Sequence, residues 1–194
     1  MKTYSLFTLC LFSFSRLVAD IDTATALKEQ PELPPLERTI TIPLSNEETQ
    51  KWQLGHMQVL NDGQAIFEWI HPKEDINAWS ELIQIQILPF EATNSKKQSA
   101  AAFATVFMDV LKTQFPNCTA SIISQTNDDV LLEFSLPKVE NGEEAQSELA
   151  RIIATDSGII RIAFTTKMGQ MQDVLKKQWI EQLSNAKITA SKTK

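Results

Sequence analysis

The chain has 194 residues, 43% of them hydrophobic, with 18 basic against 24 acidic side chains and a net charge of −6. That acidic balance, without basic clusters, argues against nucleic acid, whose phosphates demand positive charge, and against an anionic membrane surface. Of the two cysteines, Cys10 falls in a leader that is expected to be removed, so Cys118 stands alone, no internal disulfide is expected, and the fold must rest on its apolar core.

Met1-Lys2-Thr3 gives a short, positively charged start, and residues 6–14 (LFTLCLFSF) form an apolar run. Ser15-Arg16-Leu17-Val18-Ala19 closes on a small residue before Asp20. This is the layout of a secretory signal peptide, and the run is far shorter than the ~20 residues of a membrane-spanning helix. Residues 1–19 are therefore expected to be cleaved after Ala19, leaving the chain periplasmic or extracellular. Cys10 lies in mid-run behind Leu9, which is not the small residue that a lipid-anchor site needs. Residues 20–38 carry Pro31, Pro34 and Pro35 and predict a flexible arm.

A single domain is expected over 39–189, with a frayed tail at 190–194. Alternating apolar residues predict strands over 39–44, 52–60, 64–71 and 80–88. Asn61-Asp62-Gly63 between two of them signals a hairpin. In the last of these strands Ile83, Ile85 and Ile87 share one side, with Gln84 and Gln86 on the other, which predicts a half-buried strand of an antiparallel sheet. A helix is predicted from Ser95 to about Gln114, stopped by Pro116, with Phe103, Phe107, Val110 and Leu111 as its apolar stripe. Strands follow over 119–125, 130–136, 147–156 and 159–166. A polar loop with Asn141-Gly142 separates the second pair from the first. A last helix is predicted over 168–186, with Met168, Met171, Leu175, Trp179, Gln182 and Ala186 facing inward.

The order strands–helix–strands–helix predicts an α+β domain with a mostly antiparallel sheet packed by two main helices. This arrangement resembles the PsbP-like fold. The pattern Trp52…Gly55-His56…Glu68…Trp79-Ser80-Glu81-Leu82-Ile83, with Cys118 and the 160–167 strand, resembles small signal-peptide-bearing proteins of intracellular gammaproteobacteria. The resemblance spans residues 50–185 and implies a bacterial exported protein, without implying any catalytic residue.

His56 and His71 are the only histidines. Symmetric pairing about Asp62 would set position 56 opposite 68 and position 53 opposite 71. His56 and Glu68 then form an ordinary cross-strand pair, and no third ligand for a zinc site is evident. There is no Gly-x-Ser-x-Gly elbow. Cys118 follows a helix rather than opening one, so a buried structural thiol is expected. The acid pairs Glu47-Glu48, Glu74-Asp75, Asp128-Asp129 and Glu143-Glu144 fall in predicted turns and read as solvated. No cofactor, metal or catalytic residue is assigned. The best candidate patch for a ligand or partner is Trp52, His56, Glu68, Trp79 and Glu81. Trp52 and Trp79 lie at element edges, where an indole either anchors a partner or closes the core.

These features point to an exported, monomeric, non-enzymatic binding or accessory protein. Its partner would be another exported protein, held at a sheet edge or by the Trp52/Trp79 region. One alternative is a hydrolase-like enzyme whose site forms only in three dimensions. Its mark would be a pocket joining His56 or His71 to a carboxyl of raised pKa. Another is a secreted effector released by way of its arm.

Overall fold

The computed structural model describes residues 38–60, 63–90, 97–137 and 144–190. The expected signal peptide, most of the arm, Asn61 and Asp62 of the hairpin, Ser95, the Asn141-Gly142 loop and residues 191–194 lie outside them.

The first described elements are β1 (Arg38–Thr41) and one short helical turn, α1 (Asn46–Thr49). Three strands follow: β2 (Gln53–Val59), β3 (Ala65–Ile70) and β4 (Glu81–Pro89). Helix α2 (Ala100–Gln114) leads to β5 (Thr119–Gln125), β6 (Asp129–Leu136), β7 (Gln146–Ala154) and β8 (Gly158–Thr166). Helix α3 (Asp173–Asn185) and β9 (Lys187–Ala190) close the domain.

Seven strands form one antiparallel sheet in the order β2-β3-β4-β8-β7-β6-β5, and β1 pairs with β9 in a separate two-stranded ribbon. After β4, α2 carries the chain to the far edge, and the last four strands meander back until β8 lies against β4. The hairpin between β2 and β3 turns at Gly63, whose φ of 80° suits a residue without Cβ.

The two long helices cover opposite faces of the sheet. On one face, Phe103, Phe107 and Leu111 of α2 pack on Val130, Leu132, Ala150, Ile152 and Ala163. On the other, Trp179 and Leu183 of α3 join Phe67, Ile83, Leu149, Ile162 and Phe164, with Ile40 and Ile188 of the small ribbon at the border. Strands buried on both faces lose the in–out alternation of a one-sided sheet, and all nine residues of β8 are buried.

This architecture corrects the PsbP-like plan. The element order is not strands–helix–strands–helix: α1 interrupts the first strands, and the last described element is β9, paired with β1. Both additions are one turn or one four-residue pairing long, too short for a hydrophobic period to announce them. Helix boundaries shift as well. Helix α2 is capped by Ser99, whose Oγ accepts from the Ala102 amide at 3.1 Å. Helix α3 begins at Asp173, so Met168 and Met171 precede it.

Charged side chains tie the helices down. Arg151 grips the Asp129 carboxylate with Nε (3.0 Å) and its neighbouring amino group (2.6 Å). Its other amino group donates to the carbonyls of Leu183, Ser184 and Ala186 at 2.8, 3.0 and 2.9 Å. It thus satisfies carbonyls that the C-terminus of α3 would otherwise leave orphaned. Glu48 closes a capping box with Ser45 and also accepts from Gln182 at 3.0 Å and from Gln178. Its carboxyl sits below the usual range, chiefly because of the Ser45 backbone N–H. Glu48 therefore fastens α1 to α3 rather than serving as a solvated loop acid.

Gly158, at the start of β8, touches β4 backbone directly. A Cβ there would stand 2.4 Å from the Leu88 carbonyl oxygen and 2.8 Å from Pro89 Cα. No side-chain rotation relieves contact with backbone, so Gly158→Ala is expected to cost about 1–3 kcal/mol in denaturant unfolding. A loss below about 0.5 kcal/mol would show that the β4–β8 pair yields more easily than its packing implies.

Candidate functional site

The five residues of the sequence-based patch divide among three environments. Trp52 is half-buried and lies against His71, ring centroids 4.6 Å apart and planes at 24°. It meets Trp179 and Phe164 edge-on at 6.0 and 6.3 Å. The indole closes one end of the α3-side core. Glu81 joins the same end, with Oε2 2.9 Å from His71 Nε2, while His71 Nδ1 is 2.9 Å from the Lys51 carbonyl oxygen. His71 was not in the sequence-based patch, because its partners lie in segments on either side of β3.

Trp79 is half-buried under Lys167, whose Nζ stands 4.9 Å over the ring. His56 faces Glu68 across the β2–β3 pair, as the symmetric hairpin predicts, but a bulge at Gly55 shifts the register beyond it. Gln53 consequently pairs with Ile70 rather than His71. His56 is exposed, whereas Glu68 is buried and accepts from Gln84 Nε2 at 2.6 Å.

That Gln84 contact opens a buried polar network on the α2 side of the central strands. Arg161, only 3% exposed, donates to Gln84 Oε1 at 2.5 Å, to Gln86 Oε1 at 3.2 Å and to Glu148. Thr165 Oγ1 donates to the other Glu148 oxygen at 3.0 Å, and the guanidinium lies 5.5 Å from the Phe107 ring centroid. Burial pushes the Glu148 carboxyl above its usual range, against the downward pull of Arg161. The glutamine side of β4, expected to face solvent, is instead knitted into the interior. A polar face is buried here because complementary groups on β3, β7 and β8 satisfy it. Glu148, whose carboxyl burial raises, has Arg161 and Thr165 rather than a histidine as its partners.

A third place was not foreseen. A groove of about 460 Å³ lies over β5, β6 and β7 beside the start of α3. The hydroxyls of Thr119, Ser121, Ser135 and Ser147 line it, and Glu133, Asp173 and Lys176 supply charge. Ser121 Oγ donates to Glu133 at 3.0 Å, Glu133 pairs with Lys176, and Ser135 and Ser147 hydroxyls meet at 3.1 Å. Helix α3 packs on β7 and β8 and leaves this strip of sheet uncovered. The alternation along β5 and β6 hinted at a polar face. Its meeting with Asp173 and Lys176 depends on the path of the chain after β8.

Cys118 is a free, half-buried thiol packed against the α2-side core. Burial raises its pKa, with Lys112 opposing the effect. A thiol with little thiolate reacts slowly. Folded protein is therefore expected to label with a disulfide reagent at neutral pH more slowly than urea-unfolded protein. Equal rates would place Cys118 on a more open surface.

Among the described residues no group of three or more His, Cys, Asp or Glu side chains is arranged to hold a metal ion, and no helix is long and apolar enough to cross a membrane. A search of curated proteins finds no match to the chain. A family model matches residues 48–192, a span that holds the whole seven-stranded sheet and both long helices. The chain belongs to that uncharacterised family.

Proposed function

We propose that the protein is exported and acts as a non-enzymatic binding or accessory protein, with its ligand seated in the groove over β5–β7. The observation that carries this reading is the groove itself. It falls within the ~300–1,000 Å³ typical of ligand sites, and convergent hydroxyls and charges line it. Trp52 is less suited to hold a partner, because His71 stacks on its ring and Phe164 and Trp179 meet it edge-on. Export rests on the charged start, apolar run and small-residue end of residues 1–19. The resemblance to exported gammaproteobacterial proteins points the same way.

Two measurements test the two halves. Intact mass of protein from the envelope and medium of its producing cell should correspond to a chain beginning at Asp20; full-length mass confined to the cytoplasm would overturn export. NMR screening with a library of small polar compounds should shift amides of Ser121, Ser135 and Lys176, and Ser135→Trp should abolish those shifts while keeping a dispersed spectrum. Shifts that survive in the filled variant, or none in the wild type, would remove the groove as the ligand seat.

A further inference from the structure

We infer that the groove accepts a neutral, polyhydroxylated ligand of mono- or disaccharide size; the inference rests on the binding role proposed above. It is drawn from the hydrogen-bonding groups that the fold has left unused. The Lys176 ammonium is already paired with Glu133, and Ser121 also donates to that carboxylate. The Asp173 carboxylate and the Thr119 hydroxyl line the groove and form no hydrogen bond or ion pair with other described side chains. The spare capacity is therefore one anionic acceptor and one group that both donates and accepts, beside the side-chain amides of Asn117 and Gln170.

Three ligand classes are set apart by that inventory. A phosphate or carboxylate ligand would meet the Asp173 carboxylate beside a Lys176–Glu133 pair whose cation is already neutralised. An apolar ligand would strand the Thr119 hydroxyl and the Asp173 carboxylate without water or partner, at a cost for each. It would also gain little contact, since Leu149 and Met171, the large aliphatic side chains of the lining, are 1% and 6% exposed. A sugar offers adjacent hydroxyls that donate to a carboxylate and accept from a serine or threonine. It thereby matches an acceptor-rich, hydroxyl-lined surface without carrying a charge. The lining presents no exposed aromatic platform, so affinity is expected to be modest.

The test titrates uniformly labelled wild-type protein with free hexoses, N-acetylhexosamine disaccharides, a neutral dipeptide and inorganic phosphate. The saccharides should shift amides of Ser121, Ser135, Gly169 and Lys176 and leave β2 and β3 unmoved. Asp173→Asn and Thr119→Val should each weaken that binding by about 10-fold, one hydrogen bond's worth. Both positions are exposed, so neither change should unfold the domain. If the dipeptide or phosphate shifts these amides and the saccharides do not, the ligand class is wrong while the groove remains a binding site. If no probe shifts them, the saccharide inference falls; the broader polar library and the Ser135→Trp variant then decide the binding role itself.

Discussion

Arg161→Met is expected to lower the unfolding free energy by about 3–5 kcal/mol, the usual cost of breaking a buried ion pair from one side. Arg161 and Glu148 have side chains only 3% and 5% exposed, so solvent offers little compensation to the carboxylate left behind. Gln84 and Gln86 would lose their guanidinium donor as well. The double variant Arg161→Met/Glu148→Gln removes both charges and should recover much of the loss. Urea unfolding at pH 7 measures all three proteins. A single-variant loss below about 1 kcal/mol would mean that water or a shifted side chain reaches the site.

The same variant carries a pH signature. Burial already holds the Glu148 carboxyl above its ordinary value of 4.5, and Arg161 is the main influence pulling it down. Without Arg161 the folded-state pKa rises further. A carboxyl that holds its proton more tightly when folded contributes stability that is full below the unfolded value and is lost as pH rises through the folded one. The deficit of Arg161→Met relative to wild type should therefore be greatest near pH 7 and shrink toward pH 4.5. Glu68 bonds to Gln84 in the same network, so the comparison must be made with wild type at each pH. A deficit that is flat with pH would show that lost packing, not an uncompensated charge, is the cause.

This network marks where sequence reading stops. Alternation gave strand β5 at its observed limits and the other large-sheet strands to within two residues at either end, because period-2 patterning is local. The isoleucine face of β4 is likewise core. Its glutamine face cannot be distinguished from a solvated one by pattern alone. Its burial depends on Arg161, which sits 75 positions away from Gln86 in the chain. The β1–β9 pairing joins the two ends of the described chain and has the same character. So does the groove, where hydroxyls of β5, β6 and β7 meet the first turn of α3. Residue types were visible in each case, and the long-range register that gives them partners was not. For Trp52 the sequence left two roles open, partner anchor or core closure, and the edge-on contacts with Phe164 and Trp179 set the indole at the end of the core.

Trp179→Ala tests the core-closing role with a comparably large effect. Trp179 is 3% exposed and stacks on Phe164 at 4.1 Å with planes 8° apart, at the centre of the α3-side core. Truncation removes that stack and leaves a cavity between helix and sheet, for an expected cost of about 3–5 kcal/mol. Trp52→Ala should cost less, since Trp52 is only half-buried. The two indoles meet edge-on at 6.0 Å, so the paired variant should fall short of the sum of the singles by about 0.5–1.5 kcal/mol. That coupling separates the two roles open to Trp52. An indole that closes the core shares its energy with Trp179, and both variants leave saccharide shifts in the groove unchanged as long as the fold persists. An indole reserved for a partner would show additive stabilities, and its loss would go unnoticed until that partner was present.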